Sequence, residues 1–104
     1  MVLIQSLTEQ EEALGWCFLV KLESGDLLRE IEVHLSWADY NLWSQTGADM
    51  PWLVARAALV FVLRFMTVEE LPKRLDASIV RRLNRSADAQ VPDLIVAEGW
   101  CRKG

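Results

Sequence analysis

WCFLVKLESGDLLREIEVHL, residues 16–35, alternates apolar and polar side chains on either side of Glu23-Ser24-Gly25-Asp26. A period of two marks strands with one face toward a core. Two such runs around a glycine-containing turn predict an antiparallel hairpin, with strands over about 16–22 and 27–35. With Ser24 and Gly25 at the tip, paired residue numbers sum to 49. Trp16 then faces Val33, Phe18 faces Ile31 and Leu22 faces Leu27, and cross-strand pairs of this kind contribute about 0.2–1 kcal/mol each. The opposite face carries Cys17, Leu19, Lys21, Glu30, Glu32 and His34, and reads as solvated or partly covered.

Downstream of the hairpin, Ser36 caps a short helix over about 37–43, with Asp39 at its third position. Ser44 to Met50 reads as a loop containing Gly47. Pro51 opens a helix over about 51–66 at the one position where its missing N–H costs nothing. That helix is apolar nearly all round, with only Arg56, Val60 and Arg64 along one stripe. It is therefore expected to be the central buried element, laid across Trp16, Phe18, Val20, Ile31 and Val33. Thr67 and Glu70 form a capping box that Pro72 cuts short. Asp76 caps a further helix over about 77–85, with Ile79, Val80 and Leu83 inward and Ser78, Arg81, Arg82 and Arg85 outward. Ser86 to Val91 reads as a loop and Pro92 as the start of a tail, in which Asp93 to Trp100 fits a strand or a helical turn.

Upstream, Val2 to Gln5 is a candidate strand. Thr8 with Glu11 fits a capping box and Gly15 a helix end, which predicts a turn or two of helix over Glu9 to Leu14. A lone hairpin is marginal in water, so a third strand is expected from residues 2–6, from 94–97 or from a second subunit. The fold class is α+β: a hairpin or small sheet packed against one hydrophobic helix, with short helices beside it.

With 104 residues, 52% hydrophobic and 25% charged, one domain over residues 1–104 is expected. The longest apolar stretch, Trp52 to Met66, is interrupted by Arg56 and Arg64 and falls short of the ~20 residues a membrane span needs. No membrane partner is expected, and the opening Met-Val-Leu-Ile-Gln lacks the basic start of a secretory signal. Cys17 and Cys101 lack C-x-x-C spacing and read as reduced thiols of a cytoplasmic protein. Charge is divided unevenly. Residues 1–49 hold nine acidic and two basic side chains, residues 50–104 six acidic and nine basic. Either the two halves pack so that their fields cancel, or one of them faces a partner.

No nucleotide loop, zinc spacing or nucleophile elbow is present in the sequence. No cofactor and no metal are expected, and the balance leans against an enzyme. The sharpest chemical candidate is Cys17 with Glu30, Glu32 and His34. The register above sets Cys17 opposite Glu32, with His34 diagonal. A thiol beside an imidazole and a carboxylate outlines an activated nucleophile or a metal ligand set; the plainer alternative is a charged strand face in water. Five tryptophans are the compositional anomaly. Trp37, Tyr40, Trp43 and Trp52 are candidate interface residues, since such side chains anchor interfaces; the alternative is that they roof the core. Aromatics beside Asp49, with Arg56, would suit a small anionic ligand. Arg81, Arg82 and Arg85, preceded by Lys73 and Arg74, would suit phosphates, although the acidic overall balance counts against nucleic acid. The leading reading is a small non-catalytic interaction or regulatory domain, working as a homodimer or on a larger partner. The alternatives are a nucleic-acid accessory protein, and a ligand-binding domain or unusual enzyme.

Overall fold

The computed structural model describes residues 2–100, the side chains of 96–100 excepted. It is an α+β fold with a four-stranded mixed sheet in the order β1-β2-β3-β4. The strands are β1 (Val2–Glu12), β2 (Gly15–Ser24), β3 (Leu27–Ser36) and β4 (Arg74–Asp76). The helices are α1 (Trp37–Trp43), α2 (Pro51–Val62), α3 (Val80–Leu83) and α4 (Ala87–Trp100). The first three strands form an antiparallel meander, and β4 joins β3 in parallel.

The hairpin forms where the alternation places it, in a register two residues from the expected one. Partner numbers sum to 51: Trp16 pairs with Leu35, Phe18 with Val33, Val20 with Ile31 and Ser24 with Leu27. The reason lies in the turn. Gly25 has φ 60° and, among the described residues, only glycines have a positive φ, so the two-residue tip is Gly25-Asp26. A two-residue hairpin loop with a negative φ at its second position needs glycine at the first. A slip of two leaves every side chain on its predicted face. Trp16, Phe18, Val20 and Leu22 of β2 and Ile31, Val33 and Leu35 of β3 are all buried, joined by Leu75 of β4.

The third strand comes from the N-terminus and is longer than expected. The helix predicted over Glu9 to Leu14 does not form; β1 runs through to Glu12 and turns at Ala13-Leu14. Pairing with β2 along this whole length outweighs a local capping signal that offered one isolated turn of helix. A β-bulge at Leu7, between Ser6 and Thr8, reverses the alternation midway. Val2, Ile4 and Ser6 face the core side, whereas beyond the bulge it is Thr8, Gln10 and Glu12 that share the outer face with Leu19 and Cys17.

The core is one continuous cluster on one face of the sheet. At its centre lies α2, with Val54, Ala55, Ala57, Ala58, Leu59, Phe61 and Val62 buried. This helix ends at Val62 rather than 66, because Arg64 and Phe65 donate to Phe61 and Val62, three residues back, and tighten the last turn. Ser36 caps α1 by accepting the Asp39 N–H at 3.1 Å. The Thr67–Glu70 capping box is present and opens a single 3-10 turn over Val68–Glu70. Arg29, on the inner face of β3, donates to the carbonyls of Val68, at 2.9 Å, and of Glu69 and Leu71, tying that turn to the sheet. Asp76 accepts the Ser78 N–H at 2.9 Å, but the helix it starts is a 3-10 turn followed by α3 and stops at Leu83. There Asn84 leaves the helical region and its side-chain oxygen takes the N–H and hydroxyl of Ser86, both at 2.8 Å. The chain is thereby aimed into α4, so the expected loop over Ser86 to Val91 is mostly helix. Pro92 lies inside α4 instead of ending it. Ala87, Val91 and Ile95, at helical spacing, carry its buried stripe, which packs in one core with α2.

Among the described residues, no helix is long and apolar enough to cross a membrane.

Candidate functional site

The outer face of the sheet lies away from the core, and its side chains range from half-buried to exposed. At the end of this face nearest the β1–β2 turn, all four strands contribute to one cluster. The observed register sets Cys17 directly opposite His34, with Glu32 diagonal, the reverse of the predicted arrangement. Cys17 Sγ lies 3.6 Å from His34 Nε2 and 3.7 Å from Glu32 Oε1. The same Glu32 oxygen is 3.3 Å from His34 Nε2. On the far side of the ring, His34 Nδ1 lies 3.4 Å from Glu12 Oε1. Arg74 of β4 approaches Glu32 with its Nε at 3.5 Å. Glu30 is not part of the cluster; it pairs across the sheet with Lys21, two residues further along β3.

The electrostatics speak against a nucleophile. Burial pushes the Cys17 thiol above its ordinary value, and Glu32 and Glu12 push it the same way. A reactive cysteine needs the thiolate at neutral pH, and this surrounding favours the thiol. Glu32 behaves in the opposite sense: its hydrogen bond from His34, helped by Arg74, holds its carboxyl below the usual range. Cys17 is a free cysteine; Cys101 lies outside the described residues. Glu12, Cys17 and His34 each offer a ligand atom within 4.8 Å of the other two. Glu12 escaped the sequence reading because only the bulge at Leu7 turns it toward His34.

The four aromatic candidates are dispersed. Trp43 is 1% exposed, donates its indole N–H to Asp88 at 2.9 Å and lies under the Arg81 guanidinium. Tyr40 is buried and donates its hydroxyl to the carbonyls of Gly47 and Asp49, closing the 44–50 loop. Trp52 is half-buried, its ring 5.4 Å from Phe18. Trp37 alone of the four is exposed, at 42%. Its ring lies 4.3 Å from that of Trp16, and its backbone N–H donates to the Leu14 carbonyl at 2.8 Å. Leu14, at the β1–β2 turn, is 82% exposed. Glu11 pairs with Trp16 and Glu9 with Phe18 across the strands, so carboxylates border the aromatic pair. Leu14 and Trp37 thus form an apolar spot at the acidic end of the edge strand.

The remaining candidates have local duties. Asp49 accepts the Ser44 hydroxyl at 2.6 Å, and Arg56 lines a cleft with Gln5, Lys21 and Glu23. Arg81, Arg82 and Arg85 are all exposed, and Arg81 bridges Asp39 at 2.7 Å and Asp88 at 3.0 Å. One of these three arginines is thus structural. Comparison with family models, with curated proteins and with solved structures finds no match to this chain.

Proposed function

We propose that the protein is a non-catalytic docking module that binds a partner protein with a basic surface. The observation that carries this reading is the exposure of Leu14 and Trp37 beside Glu9 and Glu11, which pair from the edge strand with Phe18 and Trp16. A rigid aromatic backed by a second ring offers area at little entropic cost, and a half-polar indole suits an interface better than water. The surrounding carboxylates select a cationic partner and speed its approach. The excess of negative charge in residues 1–49 has the same sign.

A photo-crosslinking residue placed at the exposed Ala13 tests this in the native host's cells. One stoichiometric protein is expected, joined through a Lys- or Arg-rich segment. Trp37→Ala with Leu14→Ser should abolish the product while leaving the far-ultraviolet circular dichroism unchanged. Undiminished capture by that double variant would overturn the reading. So would a homodimer in sedimentation that persists at high salt and in the double variant, since that dimer would be built on another surface.

A further inference from the structure

We propose that Cys17, Glu32 and His34 form a binding site for a zinc ion on the outer face of the sheet, with Glu12 orienting the histidine. The argument is geometric. Zinc lies about 2.3 Å from a thiolate, 2.0–2.1 Å from an imidazole nitrogen and 2.0–2.2 Å from a carboxylate oxygen, at tetrahedral angles. Those lengths require ligand separations of about 3.6 Å for sulfur to nitrogen, 3.6 Å for sulfur to oxygen and 3.4 Å for nitrogen to oxygen. The separations among Cys17 Sγ, His34 Nε2 and Glu32 Oε1 are 3.6, 3.7 and 3.3 Å. One triangular face of a tetrahedron is therefore already formed, and side-chain hydrogen bonds hold it.

The donor chemistry selects the ion. A soft thiolate with a borderline imidazole disfavours calcium and magnesium, which take oxygen ligands. Glu12 completes the arrangement from the other side of the ring. Its carboxylate lies 3.4 Å from Nδ1, where a second-shell carboxylate accepts the ring proton once it leaves Nε2, the nitrogen that donates to Glu32 in the empty site, to make room for a metal. The cluster is only half-buried, with His34 and Glu32 side chains 28% and 43% exposed, so a water completes the coordination. No sequence spacing marks this set, because its members come from three strands and meet only after the bulge and the hairpin register are in place. Among the described residues Arg74 opposes this: it bonds the ligand oxygen of Glu32, yet its side chain is 76% exposed and free to turn outward. On binding, the Cys17 thiol gives its proton to the buffer, one per ion.

The test is titration of the chelator-treated full chain with Co²⁺, read by absorbance, and with Zn²⁺ in competition against a chromophoric chelator. One equivalent of Co²⁺ should give thiolate-to-metal charge transfer in the near ultraviolet and the intense visible bands of a tetrahedral site. Zn²⁺ should bleach both. Cys17→Ser should remove the charge-transfer band, and His34→Ala should weaken Zn²⁺ binding by far more than tenfold. Glu12→Gln should weaken it by about 10–100-fold, as second-shell losses do, and Arg74→Ala should tighten it. The wild-type spectrum reports sulfur ligation directly, and Cys101→Ser, which should leave the band in place, assigns that sulfur to Cys17 without disturbing the site. Failure of Co²⁺ to bind at tens of micromolar, binding without the sulfur band, or equal affinity in Cys17→Ser would each overturn the proposal.

Discussion

Gly15 shows how much one residue decides. A Cβ there would lie 2.0 Å from the Leu35 carbonyl oxygen and 2.8 Å from the Ser36 Cα, both of them backbone atoms that cannot swing away. The close approach lets β2 begin against the end of β3, next to the Leu14–Trp37 contact. Gly15→Ala should lower stability by at least the ~1–3 kcal/mol typical of overpacking, seen as a drop in the urea midpoint. A second prediction concerns Cys17. With chelator present, its raised thiol should alkylate at pH 8 more slowly than an unperturbed cysteine in a peptide; rapid alkylation below pH 7 would restore the nucleophile reading. At this scale the sequence was informative wherever alternation alone fixes a side. Cys17, Glu32 and His34 stand on the predicted face and meet. Glu12 was hidden, because a bulge obeys the geometry of the paired strands and leaves no signature in residue type.

Arg81 works between elements. From the start of α3 it reaches Asp39 in α1 and Asp88 in α4 while covering the Trp43 ring, so three helices share one guanidinium. Both carboxylates hold its charge in place, Asp39 foremost. Arg81→Met, which keeps the aliphatic stem, should cost about 1.5–3 kcal/mol, the range of hydrogen bonds to charged groups. Partial burial pushes the Asp88 carboxyl up, but the Trp43 N–H and Arg81 outweigh this and hold it below its ordinary value. Its contribution is therefore complete above the unfolded value of about 3.9, and is lost as pH falls through the lower folded value. In urea titrations from pH 6 to pH 3, the gap between wild type and Asp88→Asn should accordingly narrow toward the acid end. Elements whose local start or turn signal coincides with an apolar pattern were legible in sequence: the hairpin, α1, and α2 to within four residues. Those governed by distant contacts were not. The Thr8–Glu11 box lost to strand pairing, and the Ala87, Val91 and Ile95 stripe was masked by a proline that the second turn of α4 tolerates. The three residues of β4 carry no pattern long enough to read.

For the whole molecule, charge is segregated by architecture as well as by sequence. β1 is an edge strand, and from Leu7 to Glu12 every residue is exposed. Such an edge invites pairing with other chains, and acidic side chains are one means of preventing it. Replacing Glu9, Glu11 and Glu12 together by Gln should increase self-association in light scattering while leaving the monomer's fold unchanged. A triple variant as monodisperse as wild type would show that the bulge alone protects the edge. The opposite edge carries a different consequence. β4 pairs with β3 through Glu32–Arg74, Val33–Leu75 and His34–Asp76, across a chain separation of about forty residues. The meander joins neighbouring segments through short turns, whereas pairing β4 with β3 closes a far longer loop at a larger entropic cost. The short strand, with three paired residues, should therefore be the first part of the sheet to open. In hydrogen exchange, the Glu32 N–H, which donates to the Lys73 carbonyl at 2.7 Å, should open by sub-global unfolding well before amides shared between β2 and β3.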